Sequence, residues 1–516
     1  MLVKTFGAAV HGIDALLVTI EVVTDYGLGC SIVGLPDTAV RESYDRVRSA
    51  LNMIECEAPR QRIVINMSPA DIRKEGSAYD LPIAIGIAAV QGLISPADLS
   101  DTLIMGELAL DGSVLPIKGA LPMAIMAREQ GFKRMIVPQA NATEAAVVNN
   151  LNVYGVSHIS QVIGLINHTM SLAPTIVNTR EEFEKASESF DFDFSEVKGQ
   201  ENVKRALEVA CAGGHNILLV GPPGAGKSMM AKRLPSILPP LTLSEALETT
   251  KIHSVAGKLG KDSMLMTVRP FRSPHHTVSP VALVGGGSNP MPGEISLAHN
   301  GVLFMDEFPE FSRSVLEVMR QPLEDRKISI SRARYSIDYP AGFMLVASMN
   351  PCPCGYYTHP TRQCTCMPAT VQRYLGRISG PLLDRIDIQV EILPVGFDEL
   401  TSNAEAEPSA TIRQRVINAR KIQEKRFANE PGVHCNAQMN SRLLKKYAPI
   451  SPEVSELLKK ALNRYQMSAR AYDRILKVAR TIADLDNSPE ITTAHMHEAV
   501  SYRNLDRASW GSSINK

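Results

Sequence analysis

The sequence predicts a multidomain α/β fold, with an α+β domain first, an α/β core in the middle and a helical domain last. Three observations carry that reading. The run Gly-Pro-Pro-Gly-Ala-Gly-Lys-Ser, Gly221 to Ser228, fits the phosphate-cradling pattern G-x-x-x-x-G-K-[ST] without a mismatch, between an apolar run (216–220) and a helix-patterned one (229–234). A second apolar run, Gly301 to Met305, leads straight into the carboxylates Asp306 and Glu307. Beyond the loop 401–409 the chain shows helical periodicity and few strand signals.

Taken in order, residues 1–170 mix strand-like runs (16–23, 63–67, 103–110) with helical ones (37–53, 82–91, 119–129), the mark of an α+β domain. Residues 171–195 turn acidic and polar and end in Ser187-Glu-Ser-Phe-Asp-Phe-Asp-Phe194, which reads as a linker. A helix over 201–211 feeds the strand at 216–220 and opens a core running over 196–398. Residues 399–516 form a lid, with helices expected at 411–427, 452–465, 469–485 and 493–504.

Composition narrows the function classes. The chain has 54 basic and 54 acidic residues, so a nucleic-acid site must be a local patch and not bulk basicity. Its first apolar stretch, 15–23, is interrupted by Glu21 and is neither a signal peptide core nor a membrane span. The expectation is a cytoplasmic chain without membrane contact, its eight cysteines reduced.

The motifs specify chemistry. In Gly221-Pro222-Pro223-Gly224-Ala225-Gly226-Lys227-Ser228, glycines let backbone N–H groups close on phosphates. Lys227 would reach the β and γ phosphates of ATP or GTP, Ser228 would hold Mg²⁺, and the helix N-terminus adds its positive dipole end. Downstream, Asp306 would hold the Mg²⁺ water shell and Glu307 would polarise the attacking water as general base. The apolar strand Phe343 to Met349 ends at Asn350, which either orients that water or is a turn residue before Pro351.

These residues resemble the AAA+ ATPases, with Asn350 as sensor 1, Gly-Pro-Leu-Leu-Asp-Arg385-Ile-Asp as the arginine-finger segment and Ser-Ala-Arg470-Ala-Tyr-Asp-Arg474 as sensor 2. Arg470 is preferred to Arg474 because it holds the Ser-Ala-Arg position of the family motif. The segments Pro270-Phe-Arg-Ser-Pro-His-His-Thr277, Pro292-Gly-Glu-Ile-Ser-Leu-Ala-His-Asn300 and Asn350-Pro-Cys-Pro-Cys-Gly355 are similar to the magnesium-chelatase-like branch. Within it, nearly the whole chain resembles the ComM (YifB-like) family. That resemblance implies ATP and Mg²⁺ as cofactors and Arg385 acting on a neighbour's nucleotide in a homo-hexamer. It further implies a branch-migration helicase on single-stranded and branched DNA during natural transformation and recombination, with a recombinase as a candidate partner.

Two projections are candidates for holding DNA. From Lys227 to Asp306 the chain runs 306 minus 227, or 79 residues, where two crossovers need roughly 60. The surplus is expected around 269–293, where Arg272, His275 and His276 precede Gly285-Gly-Gly287. The run Lys327 to Tyr339 alternates around a short basic turn and predicts a β-hairpin with Arg332 and Arg334 near its tip. The resemblance implies phosphate contacts at both places; the residues of the hairpin alone favour a solvated surface element.

Four of the eight cysteines, Cys352, Cys354, Cys364 and Cys366, fall within 15 residues, where uniform scatter would put about 0.2 by the same count. Four thiolates would make a closed, structural Zn²⁺ site, with His359 as a substitute ligand; four free thiols are the other reading.

In the first domain, Arg73-Lys-Glu-Gly-Ser-Ala-Tyr-Asp-Leu81 and Gly106 to Ile117 are similar to the proteolytic domain of Lon proteases. Aligned on those landmarks, the serine position falls on Ala78 and the lysine position on Leu121, with Ser77 and Lys118 nearby. The expectation is a Lon-protease-like domain without peptidase activity, with Arg60, Arg62, Arg73 and Lys74 as its local basic residues. Two rival functions stand beside the DNA motor: a metal-chelatase motor and a protein-remodelling ATPase. The Arg- and His-bearing projections favour a phosphate backbone.

Overall fold

The computed structural model describes residues 1–56, 61–178, 190–260, 264–287, 290–332, 335–357, 359–394, 396, 406–465 and 468–503. It divides into two compact units: one of Met1–Ala186, Thr242–Thr267 and Ser331–Ile337, the other of Ser187–Leu241, Val268–Ile330 and Asp338–Lys516.

The first unit is built on strands β1 (Leu2–His11), β2 (Asp14–Asp25), β3 (Cys30–Val33), β4 (Arg62–Ser68), β5 (Thr102–Ile104), β6 (Arg134–Pro138) and β7 (Asn152–Val156). They form one sheet in the order β3-β4-β2-β1-β5-β6-β7. β1 and β2 pair antiparallel from Leu2↔Val23 to His11↔Asp14, leaving a two-residue turn in which Gly12 takes the left-handed φ of 66° that such hairpins require. The stretch 15–23 is thus a strand whose alternate residues Val18, Ile20 and Val22 enter the core. Against β1 and β2 pack the helices Asp80–Val90 and Ala120–Glu129. The first is apolar all round and buried from Leu81 to Ala89, as a helix covered on every side must be.

Residues 242–267 belong to this unit, so the expected continuous core over 196–398 is interrupted. The helix Leu243–Val255 opens with a capping box between Thr242 and Glu245 and lies on the helix Ala120–Glu129. Lys251 Nζ pairs with Asp14 at 2.9 Å, Ser254 O accepts from Gly119 N at 3.2 Å, and the Ser254 hydroxyl donates to buried Glu144. The surplus of chain before Asp306 is therefore not confined to 269–293, and this helix accounts for part of it.

In the second unit, β8 (Ile217–Val220), β9 (Phe271–Arg272), β10 (Val302–Met305), β13 (Met344–Met349) and β14 (Ile388–Glu391) make a parallel sheet in the order β9-β10-β13-β8-β14. Between β10 and β13 in the chain runs the expected hairpin, β11 (Lys327–Arg332) and β12 (Tyr335–Pro340), of which Ser331–Ile337 is assigned to the first unit. β8, β10 and β13 are buried at every residue, which is why their sequences are continuous apolar runs without alternation. The lid helices are Ser409–Phe427, Ser441–Tyr447, Pro452–Tyr465, Ala469–Leu485 and Thr493–Ser501. Their apolar faces share one core with the helix Glu201–Gly213 and the sheet. Among the described residues no helix is long and apolar enough to cross a membrane.

Candidate nucleotide-binding and hydrolysis site

β8 delivers the chain to the phosphate loop at the carboxyl end of the sheet. Gly221 N donates to Met349 O of β13 at 3.2 Å, and a Cβ on Gly221 would lie 2.5 Å from Ile392 O, so the loop's first residue has no room for a side chain. Gly224 and Gly226 take left-handed φ of 79° and 86°, turning the backbone over before the helix Lys227–Ile237 begins. Lys227 Nζ donates to Gly221 O at 2.7 Å, Pro222 O at 2.9 Å and Asn350 Oδ1 at 3.0 Å. Burial pushes its ammonium below the usual lysine range, while Asp306 and Glu307 pull the other way.

The strand ends converge on this loop. Ser228 Oγ donates to Asp306 Oδ2 at 2.6 Å, setting a hydroxyl and a carboxylate oxygen side by side, the donor pair a hydrated Mg²⁺ takes. Asp306 Oδ1 accepts from Ser348 Oγ and from Glu307 N at 3.1 Å. Ser348 is a site residue that sequence reading missed; as a hydroxyl inside an apolar strand one residue from Met349, it was the available signal. Glu307 itself has a left-handed φ of 53°, and its side chain projects half-exposed beyond the strand. Asn350 follows β13 directly, and its amide oxygen on Lys227 places it at the loop.

The insertion residues are engaged locally. His276 Nδ1 lies 3.4 Å from Glu307 Oε2 and its ring stacks at 4.1 Å on His275, whose Nδ1 meets Thr277 Oγ1 at 2.9 Å. Arg272 makes a two-pronged pair with Glu294 at 2.7 and 2.8 Å. Neither Arg272 nor His276 is thus a free projecting cation, and His276 lies beside Glu307. β11 ends at Arg332 and β12 starts at Tyr335, with Lys327–Asp338 and Ser331–Ser336 facing across the ladder at 2.9 and 3.1 Å. Arg334 and the Arg332 side chain lie outside the described residues.

The expected finger, Arg385, and the less favoured sensor 2 candidate, Arg474, are both committed inside the chain. Arg385, only 8% exposed, pairs with Glu324 and donates to Pro381 O at 2.6 Å. Arg474 pairs with Asp387 at 2.6 Å, a carboxylate that burial would raise but that Arg474 and His215 hold well below the usual range. Arg470 is exposed and close enough to act on the Glu324 charge. Of the two sensor 2 candidates, Arg470 has no ion-pair partner among the described residues, and Arg474 ties the lid to the sheet.

The four cysteines converge. Their sulfurs lie within 4.8 Å of one another, with Cys352–Cys354 at 3.3 Å, Cys354–Cys364 at 3.5 Å and Cys352–Cys364 at 3.7 Å. A tetrahedral ZnS₄ centre with bonds of about 2.3 Å needs edges of roughly 3.8 Å, so the donor set and its spacing fit zinc. Burial raises the Cys354 thiol, but the backbone N–H groups of Tyr356 and Thr365, with hydrogen bonds from Cys352 and Cys364, together draw it down to about 6. His359 is not in the cluster; its Nδ1 accepts from Arg362 N at 3.0 Å and Thr361 N at 3.2 Å, which corrects its reading as a substitute ligand.

In the first unit, Lys74 is fully buried with its ammonium on Pro69 O, and Arg73 pairs with Glu75 at 3.2 Å. Lys74 is therefore no surface contact; Arg62 is exposed and Arg60 lies outside the described residues. Leu121 is buried, its N–H donating to Glu144 Oε1 at 2.9 Å.

A parallel sheet carrying a phosphate loop, an acidic strand end and a polar strand end, roofed by a helical lid, defines an AAA+ ATPase of the magnesium-chelatase type. Comparison with known proteins agrees: residues 193–400 match the family model "Magnesium chelatase, subunit ChlI", residues 20–141 "Subunit ChlI of Mg-chelatase", and residues 406–503 the ChlI C-terminal model. The chain is 43% identical over 506 residues to the competence protein ComM of Haemophilus influenzae, covering 97% of each chain. It is also 43% identical over 504 residues to the uncharacterised protein YifB of Escherichia coli, covering 97% of this chain and 96% of that one. A shorter likeness, 31% over 157 residues, links 28% of the chain to 27% of Lon protease 2 of Bacillus subtilis. The chain belongs to the ComM/YifB family.

Proposed function

We propose that this ATPase is a ring-forming DNA motor, a hexameric branch-migration helicase working on single-stranded and branched DNA in natural transformation and homologous recombination. The relative ComM is named for competence, which supports the biological setting. The observation that carries the ATP-driven part is the convergence of Lys227, Ser228, Asp306 and Asn350 within 3.0 Å contacts. Lys227 draws the γ-phosphate, Ser228 and Asp306 hold Mg²⁺, and Asn350 orients the water. Glu307 takes the water's proton as its oxygen bonds phosphorus and the bridging bond to ADP breaks. Mg²⁺ supplies charge neutralisation on the phosphates.

Arg385 acts across subunits in this reading, and Arg470 acts within its own. The two-stranded hairpin, with its basic turn, supports the DNA part: arginines beside Tyr335 suit a groove that tracks phosphates and bases. The four cysteines hold a structural zinc. The test is ATP turnover with and without single-stranded and forked DNA, against Lys227→Ala and Arg332→Ala/Arg334→Ala. Turnover stimulated by DNA, absent in the first variant and unstimulated in the second, is the expected result. Turnover indifferent to every form of DNA would overturn the DNA reading and favour a protein or chelatase substrate.

A further inference from the structure

The cysteine loop and the phosphate loop touch. β13 passes through Asn350 to Pro351 and then at once into Cys352, so a single residue separates the amide that meets Lys227 from a buried thiol. Cys352 packs with Tyr357 and Val371 in a small apolar cluster of its own, and the Asn350 backbone hydrogen-bonds the Tyr374 hydroxyl one turn beyond Val371. At the far end of the first Cys pair stands Gly355, buried, with φ of 84° and its N–H on Cys352 O at 3.0 Å. A Cβ there would lie 2.5 Å from Pro223 Cδ and 3.1 Å from Pro223 Cγ. Pro223 is the third residue of the phosphate loop, so the cysteine loop lies against that loop with no room for a methyl group.

We propose that the four-cysteine loop is a wall of the nucleotide pocket, and that metal held by its thiolates and nucleotide held by the phosphate loop stabilise each other. A metal that fixes Cys352 and Cys354 fixes the Gly355 turn, and through it the position of Pro223. It also fixes the exit of β13, and with it Asn350. Among the described residues the apolar packing of this loop is a small cluster centred on Cys352, Tyr357 and Val371, so a metal adds a strong tie to it. Binding at either site then pre-orders the other, a coupling that by thermodynamic necessity is reciprocal. The metal half rests on the zinc reading given above; the contact of Gly355 with Pro223 does not.

The experiment uses the full chain. Affinity for a fluorescent ATP analogue with Mg²⁺ is measured for the wild type, for Gly355→Ala and for Gly432→Ala, alongside zinc content by atomic emission. Gly432 shares the left-handed φ, at 74°, but a Cβ there meets nothing within 4 Å, so it reports backbone strain alone. Gly355→Ala is expected to weaken nucleotide binding about tenfold while keeping its zinc, and Gly432→Ala to bind as the wild type. Nucleotide affinity within twofold of wild type in Gly355→Ala would overturn the wall. A second measurement needs no variant: saturating nucleotide should slow zinc loss to a chelator severalfold. Equal loss with and without nucleotide would overturn the coupling, and a wild type that carries no metal would overturn the zinc half alone. A wild type that binds no nucleotide would instead overturn the phosphate-loop reading.

Discussion

Arg470 and Arg474 stand one helical turn apart on the same lid helix, yet the structure gives them different physics. Arg474 neutralises Asp387, which is 1% exposed, and removing one partner of a buried pair strands the other. Arg474→Ala should therefore lower unfolding free energy by about 3–5 kcal/mol in denaturant titrations. Arg470→Ala should leave the denaturation midpoint in place and lower ATP turnover at saturating nucleotide. The reverse pattern would exchange their roles. At this scale the sequence was legible where a motif fixes position: Lys227 opens the helix after the phosphate loop, and Asp306 and Glu307 follow the strand end that faces it. It was silent where a side chain's partner comes from a distant segment. Nothing in the run Pro270 to Thr277 says that Arg272 answers Glu294 or that His276 lies beside Glu307. The partner in each pair comes from a segment distant in sequence, the helix Glu294–Leu297 for Arg272 and the end of β10 for His276.

Elements were legible through period and punctuation. Four of the lid helices begin within about two residues of expectation because their apolar faces repeat at the helical period, while the short Ser441–Tyr447 was not anticipated; the hairpin 327–339 was legible because its alternation breaks at a basic turn. The helix Leu243–Val255 was not anticipated as part of the first unit, since its capping box and periodicity define a helix but not the surface that covers it. One element-level consequence concerns the lid helix Ala469–Leu485. Lys477, whose Nζ donates to Ala437 O at 3.0 Å, has its ammonium pushed down to about 8 by burial and by Arg474. Between about 8 and the ordinary lysine value the unfolded chain binds more protons than the folded one, so this group's contribution to stability rises with pH across that window. Lys477→Met should accordingly gain stability relative to wild type at pH 7, by roughly 3 kcal/mol at most, and lose that advantage towards pH 10.5. Chemical denaturation at several pH values checks this; an advantage that grows with pH would contradict it.

At the scale of the whole molecule, Arg385 matters most, because the proposed ring makes each active site the work of two subunits. In the single chain its guanidinium is held by Glu324 and the Pro381 carbonyl. If it completes a neighbour's site, Arg385→Ala and Lys227→Ala are each inactive alone, and an equimolar mixture recovers part of the turnover, since mixed rings contain intact interfaces. A mixture as inactive as its components would place Arg385 in a structural role. That residues 242–267 pack with the first unit was not legible in the sequence, because contacts among distant segments leave no local signal.

The most direct test of the central claim is strand movement itself: three-strand branch migration on a labelled junction, with ATP and Mg²⁺, by the full chain and by Lys227→Ala. The account predicts release of the displaced strand that requires hydrolysable ATP and an intact Lys227. Brisk ATP turnover on the same junction with no strand displaced would contradict it.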